Sequence, residues 1–235
     1  PCVFEYIYFA RPDSLINGKC AYEYRKNLGI ELAKEADIKA DLVVPVPDSG
    51  VPASLGYAEE SGKQFELGLI RNHYVGRTFI EPTQNIRSLG VKLKLSSTKT
   101  IVKNKSIILI DDSLVRGTTC HKIVKMLYEA GAKEIHVRIA CPENKFPDFY
   151  GVDMPSKEEL LAHNKSNKEM CEYIQAKSLK FLSLDGLYKA LGKGKRNDHY
   201  SQFSDHYFTG DYPIKPIDNE KNIKVNQLSF CLLYT

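Results

Sequence analysis

Residues 107–119, IILIDDSLVRGTT, decide how this chain is read. Four apolar residues run straight into two adjacent carboxylates, Asp111 and Asp112, with Ser113, Arg116, Gly117, Thr118 and Thr119 close behind. A short apolar run of this kind is a buried strand, and the paired acids sit where it ends. A helix begins at the threonines, because Ile123, Val124, Leu127 and Ala130 share one helical face before Gly131 stops the pattern. A helix N-terminus offers free amides and partial positive charge, so it favours a phosphate. Gly117 lets the backbone come close to that group, and the threonine hydroxyls add donors. The acids cannot hold the same phosphate, since like charges repel. They call for a partner with hydroxyls or a hard cation, and a ribose 5-phosphate with Mg²⁺ meets both demands. The plain alternative is a capping turn whose acids face solvent. Two acids together at a strand end, followed by RGTT, favour a site.

Working outward, EIHVRIA at 134–140 is a second strand, so 107–140 forms a strand–helix–strand unit of parallel-crossover length. Upstream, DLVVPV at 41–46 is a buried strand with Pro45 near its end, where a ladder donor can be spared. VPDSG at 46–50 repeats the logic of the first loop: Ser49 and Gly50 offer a hydroxyl and amides to an anion. A helix over 53–61 follows, with Pro52 at its start and Gly62 past its end. Segment 19–36 is helical and 65–70, FELGLI, reads as one strand. These elements specify an open α/β sheet, mostly parallel and flanked by helices, with ligands at the carboxyl ends of its strands. Residues 71–90 carry Arg71, Arg77 and Arg87 without any period, and a long polar segment inside a compact domain is functional or disordered. VKLKL at 91–95 alternates like a half-exposed strand, and KNK at 103–105 makes a turn. From 193 onward the chain is polar and turn-rich. We expect a main domain over 1–192 and a tail over 193–235 that wraps it or is partly disordered, with GKGKR a solvated linker rather than a nucleic-acid patch.

The bulk properties narrow the class. The 235 residues carry a net charge of +4, mild enough to suit an anionic metabolite. No apolar run approaches the ~20 residues needed to span a bilayer, and the N-terminus lacks a signal-peptide pattern. Six scattered cysteines without a CxxC pair suit reduced thiols in the cytoplasm better than a disulfide framework or a structural zinc. Neither GxxxxGK[ST] nor GxGxxG occurs, which removes support for ATP- and dinucleotide-dependent readings.

IILIDDSLVRGTT resembles the 13-residue phosphoribosyl-pyrophosphate signature of the type I phosphoribosyltransferases. PCVFEYIYFARPDS at 1–14, RNHYVGRTFI at 71–80, VKLKLS at 91–96 and FYGVDMPSKEELLAH at 149–163 are similar to the amidophosphoribosyltransferase family within that group. The resemblance covers roughly 1–192 and implies the type I phosphoribosyltransferase fold. It implies that Asp111 and Asp112 hold the ribose hydroxyls and Mg²⁺, with Ser49 as the third Mg²⁺-linked position. Asp48, Ser49 and Gly50 belong to the pyrophosphate loop; Arg116, Gly117, Thr118 and Thr119 belong to the 5-phosphate cradle, and Ser113 is a further substrate-binding position. Segment 71–87 matches a mobile loop in which Arg71, Tyr74 and Arg77 reach toward pyrophosphate and shield the reaction from water. The implied reaction is Mg²⁺-dependent displacement of pyrophosphate from 5-phosphoribosyl 1-pyrophosphate by ammonia, derived from glutamine in the complete enzyme, at the start of purine synthesis. Implied partners are a glutaminase half, purine nucleotides of AMP and GMP type as inhibitors, and further copies in a dimer or tetramer, with no nucleic acid and no membrane.

Three departures stand out. His73 occupies a position where the family has Arg. Cys2 matches the first of four iron–sulfur ligands found in one branch, but Asp148 falls at the second and SQFSDHYFTG lacks the last pair, so no cluster is expected and Cys2 reads as a packed thiol. The Pro1-Cys2-Val3-Phe4 start matches the junction between halves rather than a glutaminase start, so the transferase half alone is expected. A salvage base phosphoribosyltransferase is the competing enzyme. A non-enzymatic sensor of the same donor would normally bring a helix-turn-helix, which is not found.

Overall fold

The computed structural model describes residues 1–72, 95–152, 154–197 and 199–214. The chain opens with one π-helical turn, Glu5–Phe9. A small hairpin of β1 (Leu15–Ile16) and β2 (Lys19–Cys20) turns on Asn17 and Gly18, both at positive φ. Helix α1 (Ala21–Ala36) starts where the Glu23 carboxylate accepts the Cys20 amide at 3.0 Å. β3 (Leu42–Pro45) is buried throughout and ends on its proline, as the ladder rule requires. In α2 (Val51–Ser61) Pro52 occupies the first turn, and Gly62 closes the helix in the left-handed conformation. The short β4 (Gln64–Phe65) and β5 (Leu69–Arg71) come next, then β6 (Leu95–Ser97), α3 (Lys99–Val102) and β7 (Ser106–Asp111). After these come α4 (Thr118–Glu129), β8 (Glu134–Ile139), α5 (Leu161–Asn164) and α6 (Asn167–Ile174). β9 (Ser178–Phe181), α7 (Leu184–Ala190) and α8 (His206–Thr209) complete the described chain.

Five strands make one sheet in the order β4-β3-β7-β8-β9, every neighbour parallel. β7 lies at its centre, and Ile107, Ile108, Leu109 and Ile110 have no solvent exposure. Helices flank the sheet, α1 against α2 and α7, and α4 against α6. The register pairs Pro45 with Ile110, so β3 and β7 finish side by side. The chain leaves β3 toward β4 and leaves β7 toward β8, on opposite sides. The loops after β3 and β7 therefore part at a topological switch point, where open α/β sheets hold ligands.

Two expectations need correction. FELGLI is two strands in two sheets. The Glu66 amide bonds Val43 O, but Gly68 then bends the chain back on itself, its amide bonding Glu66 O at 2.9 Å. A side chain at 68 would crowd the methyls of Val44 and Val102, so a glycine suits the bend. β5 consequently pairs antiparallel with β6; of VKLKL, residues 91–94 lie outside the described chain. The GKGKR run is not simply solvated either. Arg196 is mostly buried and bonds Asp205, itself fully buried, and Asp211.

Two packing features position the loops. Glycines meet where α1 crosses α2: a Cβ at Gly29 would overlap the carbonyl of Ala53, and one at Gly56 would overlap that of Lys26. This closeness seats the first turn of α2. At the other end of the chain, Ser204 exchanges backbone bonds with Pro1 and Val3, and Phe4 stacks edge-on against Tyr207 at 4.7 Å. Asp148 anchors that segment. Its carboxylate takes His206 Nε2 at 2.7 Å and the amides of Tyr150 and Val152 at 2.8 Å each.

Gly29→Ala is expected to lower stability by about 1–3 kcal/mol through overpacking, read as a fall in the urea midpoint. Asp148 yields a pH signature. Burial alone would raise its pKa, but the amides of Val152 and Tyr150, with His206 and Tyr207, bring it below the ordinary value of 3.8. A carboxylate lowered by folding stabilises above its unfolded pKa and loses that contribution as pH falls through the folded value. Asp148→Ala is expected to cost about 3–5 kcal/mol at neutral pH, with the gap to wild type narrowing below about pH 4 in acid titrations of unfolding.

Candidate active site

The turn after β3 is tied to the end of β7 before any side chain is considered. The Val46 amide bonds Ile110 O at 2.8 Å, and the Gly50 amide bonds Val46 O at 2.9 Å. A Cβ on Gly50 would lie 2.5 Å from Ile110 O, so only glycine lets the turn lie this close. Gly50 thus acts by close approach, its amide bonding Val46 O within the turn. Ser49 is the residue that reaches toward the acids: it lines the same cavity and opposes the upward shift of Asp112. Asp48 is exposed and holds Arg71, Nη1 to Oδ2 at 2.8 Å.

β7 carries the acids to the edge of the sheet. Asp111 Oδ1 accepts the Asp112 amide at 2.9 Å, and Asp112 takes the Ser113 hydroxyl. Among the described residues no Lys, Arg or His is within ion-pair distance of either acid. Burial, then the neighbouring charge of Asp112, pushes Asp111 well above the ordinary carboxylate range. Asp112 is also raised by burial, though Ser113, Ser49 and the charge of Arg25 oppose the rise. Two acids strained upward in this way gain most from a cation or hydroxyl donors. No group of three or more His, Cys, Asp or Glu is assembled among the described residues. Mg²⁺ does not need one: it commonly takes one or two carboxylates and completes its shell with water and substrate phosphate. The hard oxygens of Asp111, Asp112 and Ser49 fit that mode.

The acids share a cavity of about 360 Å³ with Ser113, Arg116, Gly117, Thr118 and Thr119. Both threonines are exposed in the first turn of α4, where amides are free of helical partners. Gly117 has φ 74°, and a side chain there would press on Leu161 and Tyr173, so packing demands glycine as much as phosphate approach does. Residues 157–173 brace this loop, a role the sequence reading missed. The Leu161 amide bonds Val115 O at 2.9 Å, and Arg116 is forked onto Glu159 at 3.3 and 3.1 Å. Nothing in the local pattern around 113–119 points to a strut some 45 residues away.

A second cavity of about 450 Å³ adjoins the first, lined by Asp48, Ser49, Arg71, Arg25 and residues 8–12. Tyr8 lines both. Arg25 was overlooked as one more charge in a helix, yet the signal was present: it falls on the stripe of Ala21, Tyr24, Leu28 and Leu32 and is 6% exposed. His73, Tyr74 and Arg77 lie outside the described residues. Cys2 and Asp148, the two ligand-like positions, lie at the far clasp, Cys2 Sγ being 3.4 Å from the Tyr207 hydroxyl.

With this geometry in place, comparison with known proteins is direct. The sequence profile of the phosphoribosyl transferase domain matches residues 18–168. The amidophosphoribosyltransferase of Rhizobium etli is 57% identical over 229 residues, covering 97% of this chain and 46% of that protein. A chloroplastic amidophosphoribosyltransferase of Arabidopsis thaliana is 52% identical, covering 92% of this chain and 38% of its own length. The solved glutamine phosphoribosylpyrophosphate amidotransferase of B. subtilis, complexed with ADP and GMP, superimposes with a TM-score of 0.84 at 48% identity, over 93% of this chain and 48% of that one. The chain spans about half the length of the curated relatives it matches. It belongs to the phosphoribosyltransferase family, with the type I fold and with amidophosphoribosyltransferases as its relatives.

Proposed function

We propose that this chain is the phosphoribosyl-transfer half of an amidophosphoribosyltransferase, making 5-phosphoribosylamine from 5-phosphoribosyl 1-pyrophosphate and ammonia. One observation carries the reading. An acid pair, Asp112 buried and Asp111 half-buried, with no counter-cation in ion-pair contact among the described residues, opens into the same cavity as the free amides of a helix N-terminus. That juxtaposition suits a ligand with a phosphate at one end and vicinal hydroxyls a few ångströms away. The names of the relatives agree.

In this reading the 5-phosphate is bound by residues 116–119 and the ribose hydroxyls by Asp111 and Asp112. The pyrophosphate lies over 46–50, where Arg71 exchanges Asp48 for a phosphate oxygen. The C1–O bond breaks with its electron pair passing to pyrophosphate, while the ammonia lone pair forms the C1–N bond from the opposite face. Positive charge grows on the ribose ring, and the fixed negative charge of the acids stabilises it without reorganisation. Mg²⁺, held by the acids and Ser49, would neutralise charge on the leaving group. Little proton transfer is needed, which accords with a site that offers carboxylates and hydroxyls and no histidine among its described lining residues. The wider reading includes a glutaminase half as ammonia source, purine nucleotides as inhibitors, a dimer or tetramer, and a cytoplasmic setting. The relatives' names support the glutamine-derived ammonia, and the ADP and GMP in the B. subtilis complex support the nucleotide inhibitors. No described helix is long and apolar enough to cross a membrane.

The acids yield the first test. Asp111→Asn is expected to lower Mg²⁺-dependent turnover by about 10²–10³-fold with the fold intact. A carboxyl whose pKa is raised by folding favours the folded state at low pH and loses that contribution as pH rises through the folded value. Without ligand the variant should therefore melt at or above the wild-type temperature at pH 7, the difference fading in acid. Near-normal turnover would remove the acids from the site. The second test is the acceptor. Pyrophosphate release is measured with donor and Mg²⁺, using ammonium at alkaline pH, glutamine at neutral pH, and free purine and pyrimidine bases. Turnover with ammonium alone is expected. Transfer to a base would establish the salvage reaction instead, and glutamine turnover abolished by Cys2→Ala would overturn the assignment to the transferase half.

A further inference from the structure

Arg25 is buried on the apolar stripe of α1, with no carboxylate in ion-pair contact among the described residues. Its partners are carbonyls. Nε bonds Tyr6 O at 3.1 Å, and Nη2 bonds Ala10 O at 2.7 Å and Glu5 O at 3.4 Å. Those carbonyls bracket the π-helical turn Glu5–Phe9, so one guanidinium closes the whole turn from beneath. Burial lowers its pKa, offset by attraction to Asp112, Glu5 and Tyr8, and an arginine keeps its charge regardless. A desolvated cation whose described partners are all neutral carbonyls is a costly staple. An apolar side chain at this place on the stripe would pack α1 without that cost. What the cation adds is position: the turn it holds carries Tyr8, which lines both cavities, and Arg25 itself lines the second.

We propose that Arg25 is a positioning residue for the transfer site, fixing residues 5–10 and Tyr8 as a wall beside the acid pair and coupling that wall to donor binding. The proposal deepens the functional reading above and rests on it. Arg25 touches neither acid; it acts through the turn and through its charge.

The test uses all 235 residues of the sequence, with Arg25→Lys as the informative variant. Lysine retains the charge, but a single ammonium cannot reproduce the planar fork that spans Tyr6 O and Ala10 O. Hydrogen exchange should show amides 5–10 losing protection while β7 and β8 keep theirs. The KM for 5-phosphoribosyl 1-pyrophosphate should rise at least tenfold, with a smaller change in kcat, measured with whichever acceptor the wild type uses. Donor KM within twofold of wild type while 5–10 exchange freely would overturn the proposal. So would protection lost evenly through the sheet in step with activity, the result of a merely structural staple. A variant that does not fold leaves the wild type to decide: adding donor with Mg²⁺ must slow exchange at 5–10 more than at 204–208, which touch the same segment. Absence of that difference overturns the proposal. A wild type that transfers only to bases refutes the amine reading and leaves the Arg25 comparison to be scored with a base. A wild type that does not respond to donor at all refutes both.

Discussion

Everything at the carboxyl edge of the sheet follows from placing two adjacent carboxylates at the end of a dry central strand. Ile107–Ile110 of β7 are sealed between β3 and β8, so Asp111 and Asp112 emerge where water is scarce and repulsion is strong. Such a pair cannot be satisfied by burial, and among the described residues no lysine or arginine neutralises it in contact. The protein spreads the strain among weaker partners: a backbone amide, the Ser113 hydroxyl, the neighbouring Ser49 and the more distant charge of Arg25. The arrangement is poised for a ligand that supplies cation and hydroxyls together. The turn after β3 lies close to β7 because Gly50 lets Val46 and Ile110 meet, and this brings Ser49 into the cavity of the acids.

Local chemistry was legible in the sequence, and long-range support was not. The run from Ile107 to Thr119 announces a strand, a pair of acids and a helix start within a dozen residues, each signal confined to its own window. The same holds for Pro45, Pro52 and Gly62, which mark element boundaries through backbone geometry alone. FELGLI failed because its decisive residue, Gly68, bends the chain for a reason lying elsewhere, in Val44 and Val102. Glu159, Leu161 and Tyr173 brace the 113–117 loop through contacts that no periodicity encodes. Arg25 is intermediate: the helical stripe contained the information, but a charge on an amphipathic helix is ordinarily solvated, and its burial becomes visible only when residues 5–10 are in place.

The glycines of the α1–α2 contact show how tight packing is converted into site geometry. Ala53 O and Lys26 O occupy the space that side chains at 29 and 56 would fill. Because α2 begins one residue after the turn 46–50, fixing its first turn against α1 fixes Ser49 relative to β7. Arg25 extends from the same α1 to the opposite wall. One helix therefore sets two sides of the cavity, by exclusion of volume at Gly29 and by directed hydrogen bonds at Arg25.

The far clasp obeys different physics. Cys2 and Asp148 stand at positions that resemble cluster ligands in one branch of the family, and in this fold they meet residues of the C-terminal segment. Cys2 Sγ contacts the Tyr207 hydroxyl, and Asp148 draws in His206, Tyr207 and two backbone amides. Three distant segments, 1–4, 147–152 and 204–208, are thereby joined by proton-sharing groups. Such bonds are directional, and buried donors left without an acceptor are heavily penalised. The clasp consequently rewards only one mutual placement of the chain ends. Residues 1–4 lead directly into the turn that carries Tyr8, so the far clasp and Arg25 hold the same segment from its two ends, and the wall of the site inherits its precision from both.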